Sequence, residues 1–186
     1  MRILAVSGSL RASSSNTELL RAVAALAPQG FEVVLYDGLG GLPHFNPDLD
    51  GETVAQAVKD WRSRLLAADG VLFSVPEYAH GLPGVLKNAL DWVVGSNELV
   101  AKPVTLFNAS ARGTYAQASL IETLTVMSAR VMTAASVTLH VLGKPLTASQ
   151  IAADPEMSAA LRAGIDSFVA AIHAGADTAY SSTQAS

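Results

Sequence analysis

The sequence predicts an α/β fold, a doubly wound five-stranded parallel sheet with helices on both faces. Three observations carry that expectation. Short apolar runs recur along the chain, amphipathic stretches of helical period lie between them, and polar loops follow three of the runs. Crossovers between parallel strands are right-handed, so such alternation places helices on both faces of the sheet. Ligands of these folds sit at the C-terminal ends of the strands. The loops at 8–17, 76–83 and 108–114 all fall on that edge, which predicts a single site.

The elements follow in chain order. Ile3, Leu4, Ala5 and Val6 form a continuous apolar run, as expected of a strand covered on both faces. Gly8 ends it. Ser15 with Glu18 reads as a capping box, and Leu19, Leu20 and Val23 begin a helical apolar face. Pro28-Gln29-Gly30 stops that helix, and Phe31 to Tyr36 reads as the second strand. Residues 37–49 form a long loop rich in Gly and Pro, the kind that more often serves a function or an interface than none. Val54, Val58, Trp61, Leu65 and Ala68 then mark a helix. Val71 to Val75 is the third strand, and Pro83 opens a helix running through Asp91 and Trp92. Val104 to Phe107 is the fourth strand, and Leu120, Leu124 and Met127 mark the next helix. A fifth strand lies within 131–142. Asp154-Pro155 opens a last helix with Met157, Leu161, Ile165, Phe168 and Ile172 on one face. The expected organisation is a single domain over residues 1–176 and a flexible polar tail over 177–186.

Bulk composition narrows the function classes. Half of the 186 residues are apolar and 15% are charged, so the chain is globular. Twelve basic against sixteen acidic residues give a net charge of −4 with no basic run, which argues against nucleic acid or an anionic membrane as partner. The absence of cysteine excludes disulfides, thiolate metal sites and cysteine nucleophiles. No stretch has the length of a membrane span, and the apolar run at the N-terminus is too short for a signal peptide, so a cytoplasmic location is expected. No spacing among the four histidines suggests a metal site.

The 8–17 loop places hydroxyls and one guanidinium just before a helix N-terminus, where free amides and a partial positive charge favour an anion. A serine-rich surface turn is the plainer alternative, and the position between a buried strand and a capped helix favours phosphate. No Gly-Lys pair follows Gly8, so this is not a P-loop. Nor are the glycines of a dinucleotide fingerprint present, although Asp37 stands where a ribose-binding acid would. A hydroxyl-rich loop without those glycines suits a terminal monophosphate.

GSLRASSSN at 8–16, paired with PEYAHGLPGVLKNALDW at 76–92, closely resembles the NAD(P)H-dependent FMN reductases, a flavodoxin-like family of quinone, azo-dye and metal-ion reductases. The resemblance implies strand order 2-1-3-4-5 and an FMN site. By matching positions, Ser9, Arg11, Ser14, Ser15, Asn16 and Thr17 would surround the phosphate. Pro76, Glu77, Tyr78, Ala79 and His80 would line the isoalloxazine, mostly through backbone groups. Ser110, Ala111, Arg112 and Gly113 would close the other side. Two departures stand out. Ala79 replaces the Asn or other polar residue of many relatives, and ASARGT at 109–114 is poorer in glycine than is usual. Arg112 would meet the phosphates of the nicotinamide cofactor or form a surface ion pair.

The resemblance implies an oxidoreductase, a flavoprotein that takes hydride from NADPH or NADH through FMN and hands electrons to a quinone or similar small acceptor. The hydride step needs no side-chain acid or base, so no residue is assigned as catalytic. Homodimers or homotetramers are implied too, with the helices around Trp92 and Leu120 to Met127 as the expected interface. Two rivals bind FMN differently. One is a flavodoxin-like electron carrier without NAD(P)H turnover, and the other is a reductase that uses free FMN as substrate.

Overall fold

The structure is a computed structural model describing residues 1–141 and 146–183. Its core is a parallel sheet of β1 (Arg2–Ser7), β2 (Glu32–Tyr36), β3 (Gly70–Ser74), β4 (Pro103–Asn108) and β5 (Arg130–Val131), in the order β2-β1-β3-β4-β5. The helices are α1 (Ser15–Leu26), α2 (Gln56–Ala67), α3 (Gly84–Asp91), α4 (Thr114–Val126), the short α5 (Ala148–Ala153) and α6 (Pro155–Thr183). The flavodoxin-like order expected from the sequence is therefore the observed one.

The fifth strand departs from expectation. It is broken into β5 and β6 (Val137–Thr138), both paired with β4, with a 3₁₀ turn over Thr133–Ala135 between them. Thr105 of β4, fully buried, meets the break. Its hydroxyl donates to the Met132 carbonyl at 3.2 Å and lies 3.4 Å from that of Ser136. A buried hydroxyl thus serves a carbonyl at the interruption. Beyond the break the ladder resumes, the Leu139 and Val141 amides donating to the Asn108 and Ala109 carbonyls. Leu142, at the expected end of this strand, and residues 184–186 of the expected tail lie outside the described residues.

Alternation along the strands sorts the core into two layers. Leu4, Val6, Val71, Phe73, Val104 and Leu106 face α2, α3 and α4, meeting Trp61, Leu65, Leu86, Leu90, Leu120 and Leu124. Ile3, Ala5, Leu72 and Phe107 face α1 and α6, meeting Leu19, Leu20, Val23, Leu161, Ile165 and Phe168. The helices around Trp92 and Leu120 to Met127, where an interface is expected, turn Trp92, Leu120 and Leu124 into the core of this chain. The exposed apolar side chains nearby are Val94, Val100, Tyr115 and Val126.

The helix on the second face comes very close to the sheet. A Cβ on Gly164 of α6 would stand 2.2 Å from Val137 Cγ2 and 2.8 Å from Phe107 Cζ, so only hydrogen fits there. The long 37–49 loop is packed rather than free. Phe45 meets Trp92 edge-on at 5.1 Å, while the Trp92 indole and the Asn88 amide both donate to the Pro43 carbonyl. Arg62 of α2 grips Asp50 with two hydrogen bonds, 2.8 and 2.7 Å, and these hold the Asp50 carboxyl below its ordinary range. The same guanidinium donates to the Trp92 carbonyl at 3.1 Å, so α2, α3 and the long loop are fixed together. Among the described residues no helix is long and apolar enough to cross a membrane.

Candidate functional site

The site lies at the C-terminal edge of the sheet, where β1 and β3 are neighbours and their connections leave in opposite directions. Gly8 extends that pairing by one residue, its amide donating to the Ser74 carbonyl at 2.9 Å. The chain then loops to α1. The N-cap of α1 is Ser14, whose Oγ accepts from the Thr17 amide at 3.3 Å. This corrects the expected capping box at Ser15 and Glu18 by one residue. Two tertiary contacts set the shift. Asn16 is buried and accepts a hydrogen bond from Ser74 Oγ at 2.9 Å, and the Glu18 carboxylate is spent on the Ala148 amide at 2.7 Å and on Arg21.

This start leaves Ser15 and Asn16 as the first two helical residues, whose amides have no acceptor within the helix. Around them stand the hydroxyls of Ser9 and Ser15 and the guanidinium of Arg11, which forms no ion pair among the described residues. Free amides, hydroxyl donors and an unpaired cation suit a phosphate monoester.

That cradle opens into a cleft of about 250 Å³. Ser9, Arg11, Ser14, Ser15 and Asn16 line one end, Pro76, Glu77 and Tyr78 a second side, and Ser110, Arg112 and Gly113 a third. Eleven of the fifteen residues expected from the sequence are thereby brought together. The other four stand elsewhere. Ala111 is exposed beside Arg112 and does not line the cleft. Thr17 turns its hydroxyl to Ser7 at 2.8 Å and lines a second hollow on the far side of the loop, shared with Tyr36 and Asp37. Ala79 and His80 project at the exposed tip of the next loop. Val75 and Ala109 line the cleft as well; the sequence marks Val75 only as the end of the third strand, and carries no signal for Ala109.

The tip carrying Ala79 and His80 is a two-residue hairpin turn. The amides of Tyr78 and Gly81 donate to each other's carbonyls at 3.2 and 3.0 Å. Ala79 and His80 both have positive φ, 49° and 58°, which residues other than Gly, Asn and Asp adopt at a cost. The His80 ring lies flat on Tyr115, with centroids 4.2 Å apart and planes 18° apart.

Glu77 reaches outside its loop. Its Oε2 accepts from the Ala116 amide at 2.9 Å, at the third residue of α4. The N-cap position of α4 is Gly113, which has no side chain to serve the helix. A carboxylate from the 76–83 loop thus takes the role of a cap and tethers two walls of the cleft. The sequence signal was the bare Gly113; nothing local pointed to Glu77 as the acceptor. Arg112 makes no ion pair among the described residues, and its amide donates to Ser110 Oγ at 3.0 Å. The same residues include no cluster of His, Asp and Glu fit to hold a metal ion.

Comparison with known proteins agrees with this geometry. The family profile described as NADPH-dependent FMN reductase matches residues 1–142. The chain is 38% identical over 113 residues to the NAD(P)H-dependent FMN reductase PA1204 of Pseudomonas aeruginosa, covering 60% of each chain. It is 31% identical over 138 residues to a quinone reductase of Escherichia coli, covering 71% of this chain and 73% of that one. Among solved structures it is similar to FerB, a flavoenzyme NAD(P)H:(acceptor) oxidoreductase from Paracoccus denitrificans, with a TM-score of 0.76, 27% identity, and 94% and 98% of the two chains covered.

The Glu77 tether generates a prediction. Glu77→Ala is expected to destabilise the fold by about 1 kcal/mol, the worth of a helix cap. Glu77→Gln, which keeps an acceptor, should recover part of that loss. Urea unfolding of the three proteins measures it, and equal stability of Glu77→Ala and the parent would refute the capping role.

Proposed function

The chain belongs to the NADPH-dependent FMN reductase family, and on that footing we propose that it binds FMN and acts as an NAD(P)H-dependent oxidoreductase toward quinones or similar small acceptors. The observation that carries the proposal is one continuous cleft. It joins an anion cradle at the start of α1 to two loops that hold no competing charge pair. Bound FMN supplies two-electron chemistry between the nicotinamide cofactor and the acceptor. The residues supply binding and orientation. Arg11 and the Ser15 and Asn16 amides offset the phosphate charge, and the Ser9, Ser14 and Ser15 hydroxyls donate to its oxygens. Ser14 keeps a proton to donate because its oxygen is the acceptor in the cap. The 76–78 and 110–113 segments form facing walls, fixed by the Glu77 tether before any ligand enters. Arg112, unpaired and on the cleft, is placed to meet the phosphates of the nicotinamide cofactor.

The cleft is smaller than the range that ordinarily encloses a ligand, so part of the cofactor would project from a single chain. With Val94 exposed just after α3 and Val126 exposed at the end of α4, this supports a homo-oligomer whose neighbour completes the pocket. Light scattering on the purified protein should give at least twice the chain mass of 19.2 kDa, and a monomer would refute it.

Two further outcomes test the main proposal. The purified protein should carry or take up FMN, and anaerobic NADPH or NADH should bleach the yellow band. FMN uptake without bleaching would make the chain an electron carrier, and no uptake would remove the proposal. Arg11→Ala should weaken FMN affinity roughly ten- to a hundredfold, as expected for loss of a charge-assisted contact. An unchanged dissociation constant, measured by quenching of FMN fluorescence, would place the phosphate elsewhere.

A further inference from the structure

The His80–Tyr115 stack stands beside the cleft without lining it. Tyr78, two residues before His80, lines the cleft, as does Gly113, two residues before Tyr115. The stack therefore joins the two wall-forming segments right beside the residues that line the cleft. Tyr115 is 57% exposed and Tyr78 51%, although aromatic surface is costly to leave in water. Stacking at 4.2 Å occupies one face of each ring and leaves the other free.

Holding the loop does not require this pair. The hairpin is closed by its own two hydrogen bonds, and the Glu77 carboxylate already ties the loop to α4. What the stack adds is a flat aromatic surface of fixed orientation at the mouth, because the turn sets the backbone at His80 and the first turn of α4 sets that at Tyr115. A planar ring entering the cleft would meet it face-on, whereas a compact inorganic ion would gain nothing from it.

We propose that the stacked His80–Tyr115 pair is the outer wall of the acceptor subsite, and that Tyr115 determines preference for flat aromatic acceptors. The proposal rests on the reductase reading above and adds the residues that select the acceptor. Tyr115 acts by contact with the acceptor and takes no part in electron transfer.

The test uses the FMN-loaded protein with menadione, a planar two-ring quinone, and ferricyanide, a compact octahedral ion. Tyr115→Ser should raise the menadione dissociation constant, read by equilibrium dialysis against the oxidised protein, roughly three- to tenfold. It should raise the menadione KM relative to the ferricyanide KM by a similar factor. Tyr115→Phe, which keeps the ring, should restore both. An unchanged menadione dissociation constant in Tyr115→Ser overturns the proposal. So does a loss of FMN affinity that matches the loss of menadione, which would make the stack a strut for the cofactor loop. If NADPH fails to bleach the flavin, the reductase reading falls, and the dialysis comparison still decides whether Tyr115 binds a planar ring.

Discussion

Ser74 at the end of β3 donates its hydroxyl to Asn16 in the first turn of α1, across 2.9 Å of buried space. Much of the site's geometry depends on that hydrogen bond. It fixes the rotation of α1 about its axis, so Ser14 becomes the cap and the next two amides open on the cleft. Glu18, four residues beyond the cap, is thereby aimed at the start of α5, where it accepts from Ala148. A buried amide left without this partner would cost about 1–3 kcal/mol, which is reason enough for the helix to start one residue before its local capping signal.

The sheet was legible in the sequence because its strands are buried on both faces and appear as apolar runs. Val71, Leu72 and Phe73 are the clearest case, with no exposed side to dilute the signal. The break between β5 and β6 was not legible. Thr133 to Ser136 blurs the apolar run, but the interruption depends on Thr105, nearly thirty residues away, answering Met132. The same contrast holds in the site. The phosphate cradle is a local feature, a strand, hydroxyls and a helix start in order, and so could be read directly. Glu77 as the cap of α4, and Thr17 turned toward Ser7, are products of tertiary contact. A residue's type announces what it can donate or accept, and only the fold decides who receives it.

The length of the 37–49 loop pointed to a function or an interface, and the contacts it makes within the chain are supporting ones. It closes over Trp92 and Asn88, while Arg62 joins Asp50 to the Trp92 carbonyl. These contacts secure α3, whose N-terminus follows directly on the 76–83 loop. The cleft's second wall is thus anchored at both ends, by β3 before it and by α3 after it.

The turn at Ala79 and His80 has a kinetic meaning as well as a steric one. Its backbone lies in a conformation that neither residue favours, yet its closing hydrogen bonds and the Glu77 tether hold it there. A loop so secured is no lid. Ligands would pay little ordering entropy on arrival and would wait for no segment to swing open on departure. An entrance of that kind suits two different substrates that use one opening in succession, with residence times set by their own contacts and not by a moving gate.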